Sequence, residues 1–326
     1  YLRNDQGYDG EFNYYISLDP FLRTKMHACT GTDAYRSQRV LMPLAASILS
    51  LGKREAIPLA LICVNLFALL AGTWCLMKWC AQQNLPEYLT LIYAFSLGAV
   101  ICLFRTTTEV VYCSLMIASL YTYLKSERYG LSALFMTLAV LTKELALAAA
   151  AGILLYELIW QRRRAALAWF ILPFAVYAVW QLYIHTVFGR FSFGGNYAVQ
   201  HSVTMYPFQG IVAEFADVWN SYTLNQSQRL IELAALANIL FAACIGIWSL
   251  YTAEKPLAIL AFFYTGLVHV SQSAPSSGND FFGYARHTFD LFAVLLLLFI
   301  MTRRKIFLAP PLISALIALA AIAKYL

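Results

Sequence analysis

The sequence predicts an all-α protein, a polytopic bundle of about ten or eleven transmembrane helices in a single integral membrane domain. Composition is the first reason, because 61% of the 326 residues are hydrophobic and only 12% are charged, whereas roughly 25% of the residues of soluble domains are charged. Spacing is the second reason. Apolar stretches of about 15 to 25 residues recur along the chain, and about 20 such residues cross the hydrocarbon core of a bilayer.

The chain begins with a polar and aromatic segment, residues 1–55, which we predict to be the first outer loop. The second half of this segment is amphipathic. Its apolar residues at helical spacing are Val40, Leu41, Leu44, Ile48 and Leu51. Such a stripe predicts a helix that lies in the membrane interface.

Transmembrane helices are predicted in residues 56–188 and again in 230–326. The individual spans are 56–80, 86–104, 108–124, 130–146, 147–160, 165–188, 230–252, 256–272, 284–301 and 306–325. Two interpretations fit the region 130–160, which forms either two short crossings or one re-entrant pair.

Residues 189–229 are predicted to form a long outer loop that contains a helix of its own. The apolar stripe of this helix consists of Phe208, Ile211, Val212, Phe215, Val218 and Trp219. The spacing predicts a helix that lies on the outer surface. It serves either as a lid or acceptor platform, or as a passive connector.

Basic residues set the predicted orientation, because short cytoplasmic connections are enriched in Lys and Arg. The strongest basic clusters are 162–164 and 303–305, and an even number of predicted spans separates them, so both lie on the cytoplasmic side. The outer face then holds 1–55, 105–109, Lys143, Glu144, 189–229 and 273–286. Lys53 and Arg54 are the exception, and we explain them as side chains that snorkel from an interfacial helix.

The net charge of +6 does not predict a nucleic-acid partner. The Lys and Arg residues stand singly or in short clusters between apolar runs, so they form neither a basic face nor a nucleic-acid-binding motif. The seven cysteines show neither the spacing of a disulfide framework nor that of a metal site.

Asp9 and Glu11 are the candidate catalytic carboxylates. They stand two positions apart with the flexible Gly10 between them, a spacing that can direct both toward one site or toward a shared divalent cation, Mg²⁺ or Mn²⁺. A turn with solvated acids is the alternative interpretation.

Arg36 and Arg39 lie on one face if their segment is helical, and guanidinium groups suit bidentate contacts with phosphate. An interfacial helix that binds lipid headgroups explains them equally well. Lys143 and Glu144 interrupt an apolar run. Because neighbours on a helix point about 100° apart, we expect each of the two to have a partner elsewhere.

Two further polar clusters flank predicted spans. Arg105 and Glu109 bracket three threonines. Arg286 and Asp290 stand one helical turn apart, with His287 between them. In the functional interpretation Arg286 binds phosphate and the other four residues support the site, whereas in the alternative each cluster contains its own ion pair.

Residues 8–15 (YDGEFNYY), 18–21 (LDPF) and 35–44 (YRSQRVLMPL) together resemble the first outer loop of bacterial multi-pass glycosyltransferases of the GT-C class. Residues 141–147 (LTKELAL) and 284–286 (YAR) also look like recurring pieces of that class. The N-terminal motifs cover about 40 residues, and the rest of the chain resembles the class mainly in topology.

The resemblance implies a polyprenyl-phosphate sugar as donor, a site on the periplasmic or lumenal face, and an acidic base in the first outer loop. That base maps onto Asp9, with Glu11 as the second candidate. Related sequences carry an amide where Glu11 stands, so which acid acts stays open. The class also places a spanning helix before the loop, and we therefore expect one to precede Tyr1.

The expected reaction is the inverting transfer of a hexosyl or pentosyl group to a glycan, lipid or protein acceptor in the bacterial inner membrane. Arg39, Lys143 and Arg286 would bind the donor phosphate. The supporting residues would be Arg36, Arg105, Glu109, Glu144, His287 and Asp290. We expect no required cofactor, with Mg²⁺ or Mn²⁺ as the one candidate ion. Membrane lipids are expected partners, whereas nucleic acid is not.

Two other classes compete with this interpretation. A lipid-linked glycan transporter or polymerase would use the same charges as a translocation path. It should show an internal repeat and broken helices at matching positions, and the sequence shows neither. A non-catalytic membrane subunit of a larger complex would use the outer loop as a docking surface.

Overall fold

A computed structural model describes residues 9–24, 33–193, 209–220, 225–251, 254–271, 286 and 288–325. All of the regular secondary structure in these ranges is helical, which confirms the all-α prediction for this part of the chain. The chain forms two compact units. Unit 1 contains Tyr1–Gly72, Cys102–Ala150 and Gln161–Gln200, and unit 2 contains Thr73–Ile101, Ala151–Trp160 and His201–Leu326.

The described helices are numbered here in chain order. Those of the first half are α1 (Asp9–Leu18), α2 (Ala34–Ser37), α3 (Leu41–Leu49), α4 (Ile57–Gln82), α5 (Leu91–Ala94), α6 (Leu97–Arg105), α7 (Glu109–Leu124) and α8 (Tyr129–Thr142). Those of the second half are α9 (Ala146–Tyr156), α10 (Arg164–Phe170), α11 (Leu172–Phe188), α12 (Gln209–Asn220), α13 (Gln226–Trp248), α14 (Lys255–Ser271), α15 (Phe289–Thr302) and α16 (Lys305–Tyr325). A π-helical turn, Glu157–Gln161, follows α9.

Four helical stretches of the described residues are long and apolar enough to cross a membrane. They are Arg54–Gln82, Arg164–Phe188, Gln226–Tyr251 and Lys305–Ala323. The predicted span 86–104 is instead broken, because Glu87–Ala94 and Leu97–Arg105 meet at an angle of 51°. Counting this bent pair as one span gives five.

Several of the other predicted spans are helices of 10–17 residues, which are shorter than a straight crossing requires. These shorter apolar helices are Glu109–Leu124, Tyr129–Thr142, Ala146–Gln161 and Phe289–Thr302. Length and composition therefore support four or five spans rather than about ten in the described residues. The region 130–160 consists of two of these short helices, which are separated at Lys143.

Unit 1 is built on the helical hairpin of α7 and α8. The Ser119 and Ser132 hydroxyls lie 3.0 Å apart where these helices pack, and each also donates to the other residue's carbonyl oxygen. Helices α3, α10 and α11 pack against α8, and α1 packs against α3. In α3 the buried residues Met42 and Ala46 join the apolar core, whereas Ile48 of the predicted interfacial stripe is exposed.

Unit 2 is organised around α15. Every residue from Phe289 to Ile300 is buried, as is typical of a helix that is apolar on all sides and packs within a protein interior. Helices α13, α14 and α16 provide this packing. Asn238 of α13 donates from Nδ2 to the Pro310 carbonyl oxygen of α16 at 3.0 Å.

The helix predicted within residues 189–229 is present as α12. Ile211 and Val218 of its apolar stripe are buried, while Trp219 is 70% exposed. Phe208 and the side chain of Val212 lie outside the described residues. The next helix, α13, begins with a capping box in which Asn225 and Gln228 exchange hydrogen bonds.

Candidate functional site

The segment 9–18, which the sequence suggested as a loop, is the helix α1. Its first turn packs directly on the turn that precedes α7. A Cβ atom at Gly10 would overlap the Arg105 carbonyl oxygen and would lie 2.5 Å from Thr106 Oγ1. Asn13 Nδ2 donates to the Thr106 carbonyl oxygen at 2.9 Å. The acidic segment and the turn 105–109 are therefore neighbours in unit 1.

The helical backbone of α1 changes what the spacing of Asp9 and Glu11 implies. Residues two apart in an α-helix point about 200° away from each other and do not face one site. Both carboxylates could point toward one place if the segment were a loop. The segment is instead helical. Asp9 is the first residue of α1, and its side chain lies outside the described part of the chain.

Glu11 is held by its own helix. Its Oε1 atom accepts a hydrogen bond of 2.8 Å from the Tyr15 hydroxyl one turn later. This hydrogen bond to the carboxylate, together with burial, raises the pKa of Tyr15. Glu11 is half-buried, so its carboxylate is oriented and is still accessible to water.

Arg36 and Arg39 do not share a helical face, because α2 ends at Ser37. The Arg36 guanidinium lies 3.6 Å from the centroid of the Phe12 ring in α1, which is the geometry of a cation–π contact. Arg39 makes its contacts elsewhere in unit 1. The two arginines thus connect α2 and the residues that follow it to different neighbours.

Lys143 ends α8 and forms a buried ion pair with the first residue of α7. Its φ and ψ of −156° and 128° are extended and stop the helix. Its Nζ atom lies 2.7 Å from Glu109 Oε1, and both side chains are only 2% exposed. Cys102 Sγ lies 3.7 Å from the other carboxylate oxygen of Glu109. Glu109 therefore pairs with Lys143, which explains how two charges are accommodated among apolar helices.

Glu144, the next residue, forms a bidentate ion pair with Arg39. Arg39 Nε donates to Glu144 Oε2 at 3.0 Å, and its second terminal nitrogen donates to Oε1 at 2.7 Å. The same nitrogen donates to the Tyr35 hydroxyl at 2.8 Å. Parallel N–H···O bonds of this kind are among the strongest side-chain contacts. Lys143 and Glu144 therefore each have a partner in another segment, as their positions predicted.

The acidity of Glu144 follows from this arrangement. Burial by itself would raise the pKa of its carboxyl group, but the charge and the hydrogen bonds of Arg39, with a smaller contribution from Lys143, lower that pKa below its usual value. Glu144 is therefore ionised, and its carboxylate holds the Arg39 guanidinium in place.

Sequence reasoning missed a polar network beside Arg39. Gln38 Oε1 accepts hydrogen bonds of 2.7 Å from the hydroxyls of Tyr177 and Ser192. Ser192 Oγ also lies 2.8 Å from Gln181 Oε1. Tyr177 and Gln181 lie on α11, so this network fixes the segment that carries Arg39 against that helix. A glutamine inside the apolar run of α11 was the signal that could have revealed it.

Arg286 and Asp290 belong to unit 2, whereas Arg39 and Lys143 belong to unit 1. Asp290 is 3% exposed in the first turn of α15, and its Oδ1 atom accepts a hydrogen bond of 2.8 Å from the Leu291 amide. His287 lies outside the described residues. Within unit 1, by contrast, the turn 105–109 and the break at Lys143 meet through the Glu109 ion pair.

Among the side chains that the structure describes, no three His, Cys, Asp or Glu residues lie close enough together to share a metal ion. The described cysteines are free thiols. Comparisons of this chain with protein-family models, with curated proteins and with solved structures find no match.

Proposed function

We propose that this chain is a multi-pass glycosyltransferase of the bacterial inner membrane, which transfers a sugar from a polyprenyl-phosphate donor to an acceptor on the periplasmic face. The observation that carries the proposal is a set of paired charges in unit 1. Arg39 is paired with Glu144, and Lys143 is paired with Glu109. Lys143 and Glu144 are consecutive residues at one helix break. The acidic helix α1 packs on the turn that leads to Glu109.

The reaction forms one bond and breaks another. The acceptor oxygen bonds to the anomeric carbon from the side opposite the phosphate, and the bond between that carbon and the phosphate oxygen breaks. Asp9 accepts the proton of the acceptor hydroxyl. The polyprenyl phosphate leaves with the electron pair, and the sugar is transferred with inversion.

Positive charge is needed where the leaving phosphate becomes more negative. Arg39 supplies a planar guanidinium, whose orientation Glu144 and Tyr35 fix. Lys143 supplies an ammonium with three N–H donors, one of which Glu109 accepts. In this proposal these two cations bind the donor phosphate. The long apolar helices hold the prenyl chain.

The direct test is sugar transfer by the purified full chain in detergent, with polyprenyl-phosphate sugars as donors. Asp9→Asn should abolish transfer, whereas Glu11→Gln should retain most of it if Asp9 is the base. Undiminished transfer by Asp9→Asn would remove Asp9 from the mechanism. A folded wild-type protein that is inert toward all such donors would contradict the function itself.

A lipid-linked glycan transporter is the second candidate, and the 51° break between Glu87–Ala94 and Leu97–Arg105 favours it. Broken helices are typical of transporter substrate sites. Movement of a fluorescent polyprenyl-phosphate sugar across vesicle membranes, unaffected by Asp9→Asn, would support transport in place of transfer.

A further inference from the structure

A basic surface of unit 1 lies at the end of the α7–α8 hairpin. Two connections contribute to it: residues 125–128, which join α7 to α8, and residues 162–164, which lead into α10. Together they carry five cations and one carboxylate. The cations are Lys125, Arg128, Arg162, Arg163 and Arg164, and the carboxylate is Glu127. The sequence separates the two connections by more than thirty residues, so only the fold can bring them together.

Arg163 joins the second connection to the two helix ends that flank the first. Its terminal nitrogens donate to the hydroxyls of Tyr129 and Tyr123, each at 3.0 Å. Its guanidinium carbon also lies 5.2 Å from the Tyr129 ring centroid and 5.3 Å from that of Tyr123. Glu127 is 3.8 Å away and 74% exposed, which makes it a weak, solvent-screened partner. Hydroxyls and aromatic faces therefore help to anchor Arg163.

The arginines on either side of Arg163 face outward. Arg162, in the left-handed conformation with φ of 56°, is exposed, and so is Arg164. Arg128 on the neighbouring connection is exposed as well. Exposed guanidinium groups of like charge repel one another when they lie close together. An arrangement of this kind suits an anion that bridges several guanidinium groups.

The position of this surface identifies the anion. Arg164 is the first residue of the membrane-spanning candidate Arg164–Phe188, so the basic residues stand at the level of the lipid headgroups. Trp169 on the next turns of that helix is 49% exposed, and Gly130 of α8 packs against its ring. A tryptophan whose ring packs partly on the protein and is partly exposed is typical of the membrane interface.

We propose that residues 125–128 and 162–164 form a binding site for the headgroup of an anionic phospholipid. The lipid phosphate binds between the side chains of Arg128, Arg162 and Arg164, while Arg163 holds the two connections in place. The acyl chains lie along the surface of the spanning helix near Trp169. This site is independent of the proposed sugar transfer, because none of its residues belongs to the transfer site.

The test compares thermal unfolding of the purified full chain in micelles that contain phosphatidylglycerol with unfolding in micelles that contain phosphatidylcholine. Phosphatidylglycerol should raise the unfolding temperature of the wild type, and native mass spectrometry should detect bound lipid. In Arg162→Ala/Arg164→Ala the rise should largely disappear. Each cation near an anionic lipid contributes roughly fivefold in affinity, so removal of the pair should lower the affinity roughly 25-fold.

The matched control is Lys53→Ala/Arg54→Ala. It removes two exposed cations at the start of another membrane-spanning candidate, Arg54–Gln82. Among the described residues, no second basic connection is joined to these two by hydrogen bonds of the kind that Arg163 makes. The control should respond to phosphatidylglycerol like the wild type. Size-exclusion chromatography checks that both variants fold, which is expected because all four side chains are exposed.

Three outcomes would overturn the proposal. The first is a wild type that phosphatidylglycerol stabilises no more than phosphatidylcholine does. The second is an equal loss of the response in both double variants, which would indicate a diffuse electrostatic effect. The third is full stabilisation by inorganic phosphate in phosphatidylcholine micelles, which would make free phosphate the ligand in place of the lipid.

Discussion

The Nζ atom of Lys143 lies 2.7 Å from Oε1 of Glu109, and both side chains are almost completely shielded from solvent. Removing one member of such a pair leaves a buried charge without compensation, whereas removing both members leaves none. The stability of unit 1 should therefore be more sensitive to loss of one member of the pair than to loss of both.

Lys143→Met should destabilise the protein by about 3 to 5 kcal/mol, because Glu109 then keeps a buried charge without its lysine. The double variant Lys143→Met/Glu109→Gln should recover a large part of this loss. Thermal unfolding in detergent measures both. If the double variant is less stable than Lys143→Met, charge compensation does not explain the pair.

Arg39→Lys should impair sugar transfer more than it impairs folding. Lysine retains the positive charge but cannot make both parallel hydrogen bonds to Glu144. We expect transfer to fall about tenfold, corresponding to about 1.4 kcal/mol of lost stabilisation. Exposed Arg23→Lys is the control and should have wild-type activity. Equal activity of Arg39→Lys and wild type would show that the bidentate geometry is unimportant.

The pair of Arg39 and Glu144 should also produce a pH dependence of stability. The folded-state pKa of Glu144 is lowered, and Arg39 is the largest of the contributions that lower it. Its stabilising contribution is therefore fully present above the pKa of an unfolded glutamate, about 4.3, and it is lost as the pH falls through the lower folded-state pKa.

Arg39→Gln removes the contact that lowers the pKa and leaves the burial that raises it. Acid unfolding of this variant should consequently begin at a higher pH than in the wild type. Unfolding temperatures measured between neutral and acidic pH would show the difference. An acid limb that superimposes on that of the wild type would exclude Glu144 as its source.

Gly10→Ala should displace α1 from the turn that precedes α7, since the added Cβ would overlap the Arg105 carbonyl oxygen. Overpacking of this kind costs about 1 to 3 kcal/mol. Gly266→Ala is the control, because nothing lies within 4 Å of a Cβ at that position, and alanine is the better helix former. Hydrogen exchange should increase in α1 of the first variant alone, and unchanged exchange there would contradict the close packing.

Several features could be predicted from the sequence because they depend on local composition. The helices of Arg54–Gln82 and Arg164–Phe188 follow from runs of apolar residues. The helix α12 follows from a stripe of residues at helical spacing. That Lys143 and Glu144 need separate partners follows from the geometry of neighbours on a helix.

Other predictions depend on packing that composition does not specify. The apolar run 284–301 predicted a membrane span. Its described part contains α15, whose residues from Phe289 to Ile300 are buried within unit 2, so the choice between a span and a buried helix stays a prediction. Hydropathy cannot distinguish the two cases, because lipid and a protein interior are both apolar. The segment of Asp9 and Glu11 suggested a turn, but it is helical because its residues pack on α3 and on the turn at Thr106.

By itself, the sequence determined that this protein consists of apolar helices and that a few charges interrupt them. Partition between water and an apolar environment depends on the residues of each segment alone, so it can be read without the fold. Only the tertiary structure decided which charges meet. Glu109 and Lys143 are 34 residues apart, and Arg39 and Glu144 are 105 apart. Ion pairs act over a few ångströms, so packing selects the partners.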